Sequence, residues 1–272
     1  MESVRVILMD TRSGRSDYAL AQIGSIGEGT LLGKLFPKLA AASRSFFGLT
    51  GLTEILSDRG ISNDRVLSEE QWQWLEQQLR ASTASINILV SSVQVLTRNP
   101  SVESWGHFPG ERRRLLRLIL DTKPKGFVLI SGDVHIAIAS SPAQNLPVLE
   151  LTSSGLTHTC TAGGVPKELC SAVWNWFELP DRRQNMILSR NYGDISIDWT
   201  KRHMKCSLNS LTEENSLHFD RSFESYPEFS VDDVAGITPE YSRTLLLASV
   251  SSIMVVFALM IRMILSRRQR FG

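Results

Sequence analysis

Residues 126–141 read GFVLISGDVHIAIASS, and the fold turns on this stretch. Phe127 to Ile130 is an apolar run of the length expected for a buried strand, and it stops at Ser131-Gly132. Asp133 and His135 follow at once, an anion and an imidazole placed where the strand should leave the core.

Upstream, LSEEQWQWLEQQL (67–79) is a strong helix start. Ser68 can cap it, Glu69 and Glu70 complement the helix dipole, and Gln71 completes a capping box. Trp72, Leu75 and Leu79 recur at helical spacing and are expected to face a core. INILVSSVQVL (86–96) then reads as a strand, GERRRLLRLILDTK (110–123) as a helix, and GFVLI as the next strand. Val4–Met9 reads as an earlier strand, and LPVLELTSSGLTH (146–158) and NYGDISIDWT (191–200) supply later ones. Strands alternating with helices imply an α/β layered core.

Between Ser16 and Arg65 the pattern is lost. Lys34, Lys38 and Arg44 punctuate apolar residues, which suits either a short amphipathic helix at a membrane surface or an insertion loop with a helical turn. Pro37 and the glycines break any long helix there. From 201 to 243 the chain is polar and acidic, and we read it as a solvated stalk.

The chain has 272 residues, 42% hydrophobic and 21% charged, with a formal net charge of +1. This is an ordinary globular composition, neither disordered nor nucleic-acid-binding, and it is enough chain to bury a real core. Of the three cysteines, Cys160 and Cys170 are close enough to be bridged in an oxidising compartment; the odd cysteine leaves the free-thiol alternative open. No Cys-x-x-Cys spacing suggests zinc or a redox dithiol.

TLLLASVSSIMVVFALMI (244–261) contains no charge and matches the ~18–20 residues that a bilayer core requires. We expect one transmembrane helix here. Arg262, Arg267, Arg268 and Arg270 follow it, which places residues 262–272 on the cytoplasmic side as a basic tail and the domain on the lumenal or extracellular side. The chain opens on a strand and not on a basic region followed by a long apolar one, so we expect no signal peptide in this stretch. Either it is the C-terminal part of a longer protein, or it is tail-anchored with a cytosolic domain; we expect the former.

In open α/β sheets, sites gather beyond the carboxyl ends of strands. Three strands deliver polar groups there: Asp10 with Arg12, Ser91-Ser92 with Gln94, and Asp133 with His135. A carboxylate and an imidazole suit divalent or trivalent metals. The fold could equally use Asp133 as a loop cap and His135 as a semi-buried imidazole, and Arg12 and Arg15 could grip phosphate or pair with surface carboxylates.

Seven segments, VRVILMDTRSGR, LSEEQWQWLEQQL, ILVSSVQVL, ESWGHFPGERRRLLRLI, VLISGDVHIA, LELTSSGLTH and NYGDISIDW, resemble in order and spacing the PhoD-like alkaline phosphatases, a branch of the calcineurin-like metallophosphoesterases. The resemblance spans about residues 4–199, with 16–65 divergent. It implies a layered sheet sandwich flanked by helices and hydrolysis of phosphate mono- or diesters at a metal centre, with calcium, iron or both as the ions. It casts Asp133 and His135 as metal ligands and matches Arg12 and Arg15 to an Asp-Thr-Arg-x-x-Arg pattern; with the strand ends, we expect Asp10 and Arg12 as catalytic residues and Arg15, Ser92 and Gln94 as substrate-binding residues. Ser13 and Gly14 stand where the family usually has a polar and an aromatic residue, and His158 could approach the site, in a supporting or a purely structural role. The family's first half carries a Gly-Asp strand end and a Trp-Asp-Asp-His-type motif that supply most metal ligands, and neither is found in this sequence. We therefore expect this chain to correspond to the C-terminal half of such a domain. It would be either a membrane-anchored metallophosphatase completed by further residues, or a non-catalytic anchored remnant that binds or scaffolds.

Overall fold

A computed structural model describes residues 2–16, 65–97, 99, 102–142, 147, 149–161, 166–177, 186–231 and 234. The expected insertion at 16–65 lies almost wholly, and the transmembrane run at 244–261 entirely, outside these residues. Among the described residues no helix is long and apolar enough to cross a membrane.

The chain builds strand β1 (Val4–Leu8), helix α1 (Glu69–Arg80), β2 (Ile86–Val90), a 3-10 turn (Trp105–His107), helix α2 (Pro109–Thr122) and β3 (Phe127–Ser131). β4 (Ala137–Ser140), β5 (Glu150–Ser153), helix α3 (Lys167–Phe177) and β6 (Met186–Ile187) follow. Last come β7 (Asn191–Asp198), β8 (His203–Ser210) and β9 (Ser216–Ser222). Six strands form one sheet in the order β1-β2-β3-β5-β4-β6, and three form a second in the order β7-β8-β9. The second sheet is antiparallel.

β1, β2, β3 and β5 are parallel, so the chain must cross back between them; α1 and α2 lie on the first two of these crossings. Register puts Leu8, Val90, Ile130 and Leu151 in one row across the sheet. All four strands therefore end at one level and release their next residues along the same edge.

One face of this sheet is covered by the helices. Trp72, Leu75 and Leu79 of α1 and Leu115, Leu116 and Ile119 of α2 pack on Ile7, Met9, Leu89, Phe127 and Leu129. The opposite face meets the second sheet, where Met204, Cys206 and Leu208 of β8 pack with Ile86, Val128 and Leu151. Each fully buried large side chain contributes about 1.5–3 kcal/mol, so these two interfaces dominate the stability of the layers.

Three expectations need correction. The stretch taken as a stalk folds as β8 and β9 up to Ser222, and Val234 beyond them is buried against the helix layer. Its polar composition reflects a sheet with one solvated face: Met204, Cys206 and Leu208 point inward, and Leu217 and Phe219 are partly buried with them. The strand expected over 86–96 stops at Val90, because the Ser91 hydroxyl donates to the Val93 carbonyl (2.6 Å) and turns the chain. Gln71 does not close a capping box. Ser68 does accept from the Gln71 amide (3.3 Å), but the Gln71 side chain reaches Asp10 instead, accepting from its N–H (2.7 Å) and donating to its carbonyl (2.9 Å).

At the β1 end, Val4, Val6 and Leu8, on the face away from the helices, are 38%, 62% and 70% exposed. Cys160 and Cys170 are disulfide-bonded, with Cα atoms 6.0 Å apart, and Cys206 is a buried free thiol.

Candidate active site

After β1, Asp10 closes a tight turn, its Oδ1 accepting from the amides of Arg12 (3.0 Å) and Ser13 (2.9 Å). A hydrogen bond from the Ser13 side chain, then these two amides, hold the Asp10 carboxyl below its ordinary range. The turn is anchored to α1 by Gln71 and by Gly14, where a Cβ would lie 2.5 Å from the Ser68 nitrogen.

The turn presents Arg12 and Arg15, and both meet Glu103, from the segment that leads into the 3-10 turn. Arg12 Nη1 donates to Glu103 Oε1 at 3.1 Å, and its Nη2 lies 3.8 Å from Asp133 Oδ1. After β2, Ser92 is exposed at the same edge, and its hydroxyl shares a short hydrogen bond with Thr11.

Beyond β3 the chain must hop over the end of β5 to begin β4 on its far side, with only residues 132–136 to do so. The backbone turns back sharply, placing Asp133 (φ 76°) and His135 (φ 58°) in the left-handed region, which costs most residues about 1–2 kcal/mol. Aspartate and histidine are among the side chains that tolerate it best, and such departures gather at functional sites. Ser154, just past β5, holds the turn: its Oγ accepts from the His135 amide (2.9 Å), and its own amide donates to the Ile136 carbonyl (3.2 Å). Asp133 and His135 are both exposed. His158 follows on the same loop, its ring centre 6.2 Å from that of His135.

The edge thus gathers Asp10, Arg12, Arg15, Ser92, Asp133 and His135. Gln94 does not join them. It is fully buried, its Nε2 donating to Thr152 Oγ1 (3.0 Å), because the turn at Ser91 sends the chain inward. It supports the edge from beneath and faces no surface ligand. Glu103 is the residue that sequence reasoning missed, and nothing local marks it: its contact with Arg12 spans 91 positions. His158, expected in a supporting or purely structural role, lies near His135 because β5 runs parallel to β3 and ends beside it.

The donors of Asp133 and His135 fit a hard or borderline cation, as a partial ligand set. Among the described residues no three His, Cys, Asp or Glu side chains are grouped to hold a metal.

A family model described as PhoD-like phosphatase matches residues 2–208. The chain belongs to the PhoD-like phosphatase family. Over 87 residues it is 32% identical to alkaline phosphatase D of Bacillus subtilis (strain 168), a match covering 29% of this chain and 15% of that protein. A solved structure of PhoD aligns at a TM-score of 0.44 and 16% identity, over 71% of this chain and 42% of the other. This PhoD-like chain therefore spans well under two thirds of the length of either relative.

Proposed function

We propose that this chain carries the phosphate-gripping edge, and part of the metal centre, of a phosphoesterase acting on phosphate mono- or diesters. The observation that carries the reading is the row of aligned strand ends that sets Asp133 and His135, in left-handed backbone, beside Arg12. Arg12 and Arg15 offer planar forks for phosphate oxygens, Ser92 adds a hydroxyl, and Asp10 fixes the turn that aims the arginines. Asp133 and His135 would hold a divalent or trivalent ion, calcium or iron by the family resemblance, with other ligands from outside the described residues. When bound, such an ion supplies Lewis-acid polarisation of a phosphoryl oxygen.

The second reading is a non-catalytic module that binds phosphate-bearing ligands, which the paired Arg12 and Arg15 at the edge would do without a metal. In both readings residues 244–261 anchor the protein, with residues 262–272 cytoplasmic. The Cys160–Cys170 bridge supports placing the domain on the oxidising side.

The test is metal content by mass spectrometry, and turnover of an aryl phosphate and a bis-aryl phosphate, for the full chain and its Asp133→Ala and His135→Ala variants. Bound metal with turnover, both lost in each variant, supports the phosphoesterase. Phosphate binding without metal or turnover selects the non-catalytic module. A metal content indifferent to both substitutions removes these residues from the centre.

A further inference from the structure

Glu103 occupies an unusual place for a carboxylate at a site meant for anions. It contacts both guanidinium groups of the turn after β1, its side chain is 24% exposed, and the same Arg12 faces Asp133 at 3.8 Å. Two cations and two anions thus face one another at this edge, and the arginines that would grip phosphate already share an internal anion. A surface ion pair of this kind adds little stability by itself, so its consequence lies in the charge a ligand meets.

We propose that Glu103 sets the charge selectivity of the arginine fork, favouring singly charged phosphodiesters over doubly charged phosphomonoesters. The proposal rests on the reading of Arg12 and Arg15 as phosphate ligands. A diester brings one negative charge, shared by two free oxygens, which the half-exposed guanidinium group of Arg12 can meet while Glu103 stays in place. A monoester brings two charges at neutral to alkaline pH, and the second must either lie against Glu103 or displace it. Glu103 is then a positioning residue: it holds the two forks side by side and withholds part of their charge.

Binding of two probes to the full chain in detergent, inorganic phosphate as the dianion and dimethyl phosphate as the monoanion, tests this by calorimetry at pH 8 without added metal. In the Glu103→Gln variant, phosphate should tighten about tenfold, the order expected when one nearby unit charge is removed from a partly exposed site. Dimethyl phosphate should change less than about threefold, since it meets Glu103 least. The ratio between the probes is the decisive readout, because a purely structural role moves both together. An equal loss of both in Glu103→Gln, with binding still abolished by Arg12→Gln or Arg15→Gln, overturns the selectivity proposal and leaves the phosphate reading standing. Glu103→Asp, which keeps the charge, should retain the wild-type ratio; a ratio that follows Gln in this variant also overturns the proposal. Binding of neither anion by any form overturns the phosphate reading itself, and the proposal with it.

Discussion

Glu150 and Asp133 carry the same functional group, lie on neighbouring parts of one sheet, and are used in opposite ways. Glu150 is fully buried on β5, and its two oxygens accept the amides of Val95 (2.8 Å) and Leu96 (2.7 Å). Asp133 is exposed, in left-handed backbone, with a guanidinium 3.8 Å away. Glu111 repeats the interior pattern: one oxygen takes the amides of Val66 (3.0 Å) and Leu67 (3.3 Å) and the indole N–H of Trp72 (3.0 Å). Interior carboxylates here stitch loops to the core by satisfying backbone donors. Asp133 and His135, at the edge, instead sit exposed in costly backbone, so substitutions should separate the two groups by sign as well as by size.

The largest effect is expected at Glu150. Glu150→Ala strands two buried amides and should cost about 3–5 kcal/mol, while Glu150→Gln, which keeps one acceptor oxygen, should cost roughly half of that. Urea unfolding with an unchanged m-value checks both. A loss under ~1 kcal/mol for the alanine variant would erase the distinction between interior and edge.

Second in size is the Cys160–Cys170 bridge, which closes a loop of ten residues between the His158 segment and α3. Cys170→Ser should lower stability by about 2–3 kcal/mol through the freed unfolded chain. Thermal melts with and without reductant should reproduce the difference in the wild type and none in the variant.

How far this contrast could be read beforehand depends on the range of the interactions. Helix α1 was legible because Trp72, Leu75 and Leu79 repeat at helical spacing behind a Ser68 cap, and it runs from Glu69 to Arg80. The parallel strands were legible from apolar stretches such as Phe127–Ile130, and their shared direction puts Asp10, Ser92 and Asp133 on one edge. β8 and β9 were not, because a sheet with one wet face averages to a polar composition and only the alternation of Met204, Cys206 and Leu208 betrays it. Gln94 and Ser92 look alike in sequence, and only the Ser91 turn decides which is buried. Glu103 and Glu111 are both acids in the one segment between β2 and β3; what separates the fork partner from the core staple is a set of contacts from residues far along the chain.

Cys206 gives a smaller effect that sharpens the same contrast. Burial pushes its thiol up to about 11 from an ordinary value of 9.0. The folded state therefore holds the proton more tightly than the unfolded one. This contribution to stability is complete below about pH 9 and is lost as pH rises toward 11. At pH 8 a thiol reagent should label Cys206 only as fast as the chain opens, and Cys206→Ala should flatten the decline in stability above pH 9. Rapid labelling of the folded protein would mean that β8 is not the closed interior strand described.

The smallest expected effect has the opposite sign. At φ 58°, His135 sits where a Cβ costs about 1–2 kcal/mol, and glycine does not incur that cost, although it gives up about 0.5–1 kcal/mol of unfolded-chain entropy. His135→Gly should therefore stabilise the fold by about 0.5 kcal/mol while removing an imidazole from the edge. Urea midpoints and metal content, measured on the same preparations, check the two halves together. A gain in stability with a loss of bound metal would show that the imidazole is kept at the fold's expense, as a residue held for a ligand must be. A loss above ~1 kcal/mol would instead make His135 part of the scaffold. The Gly132–Ile136 hop would then belong with Glu150 and Glu111 on the structural side of the comparison.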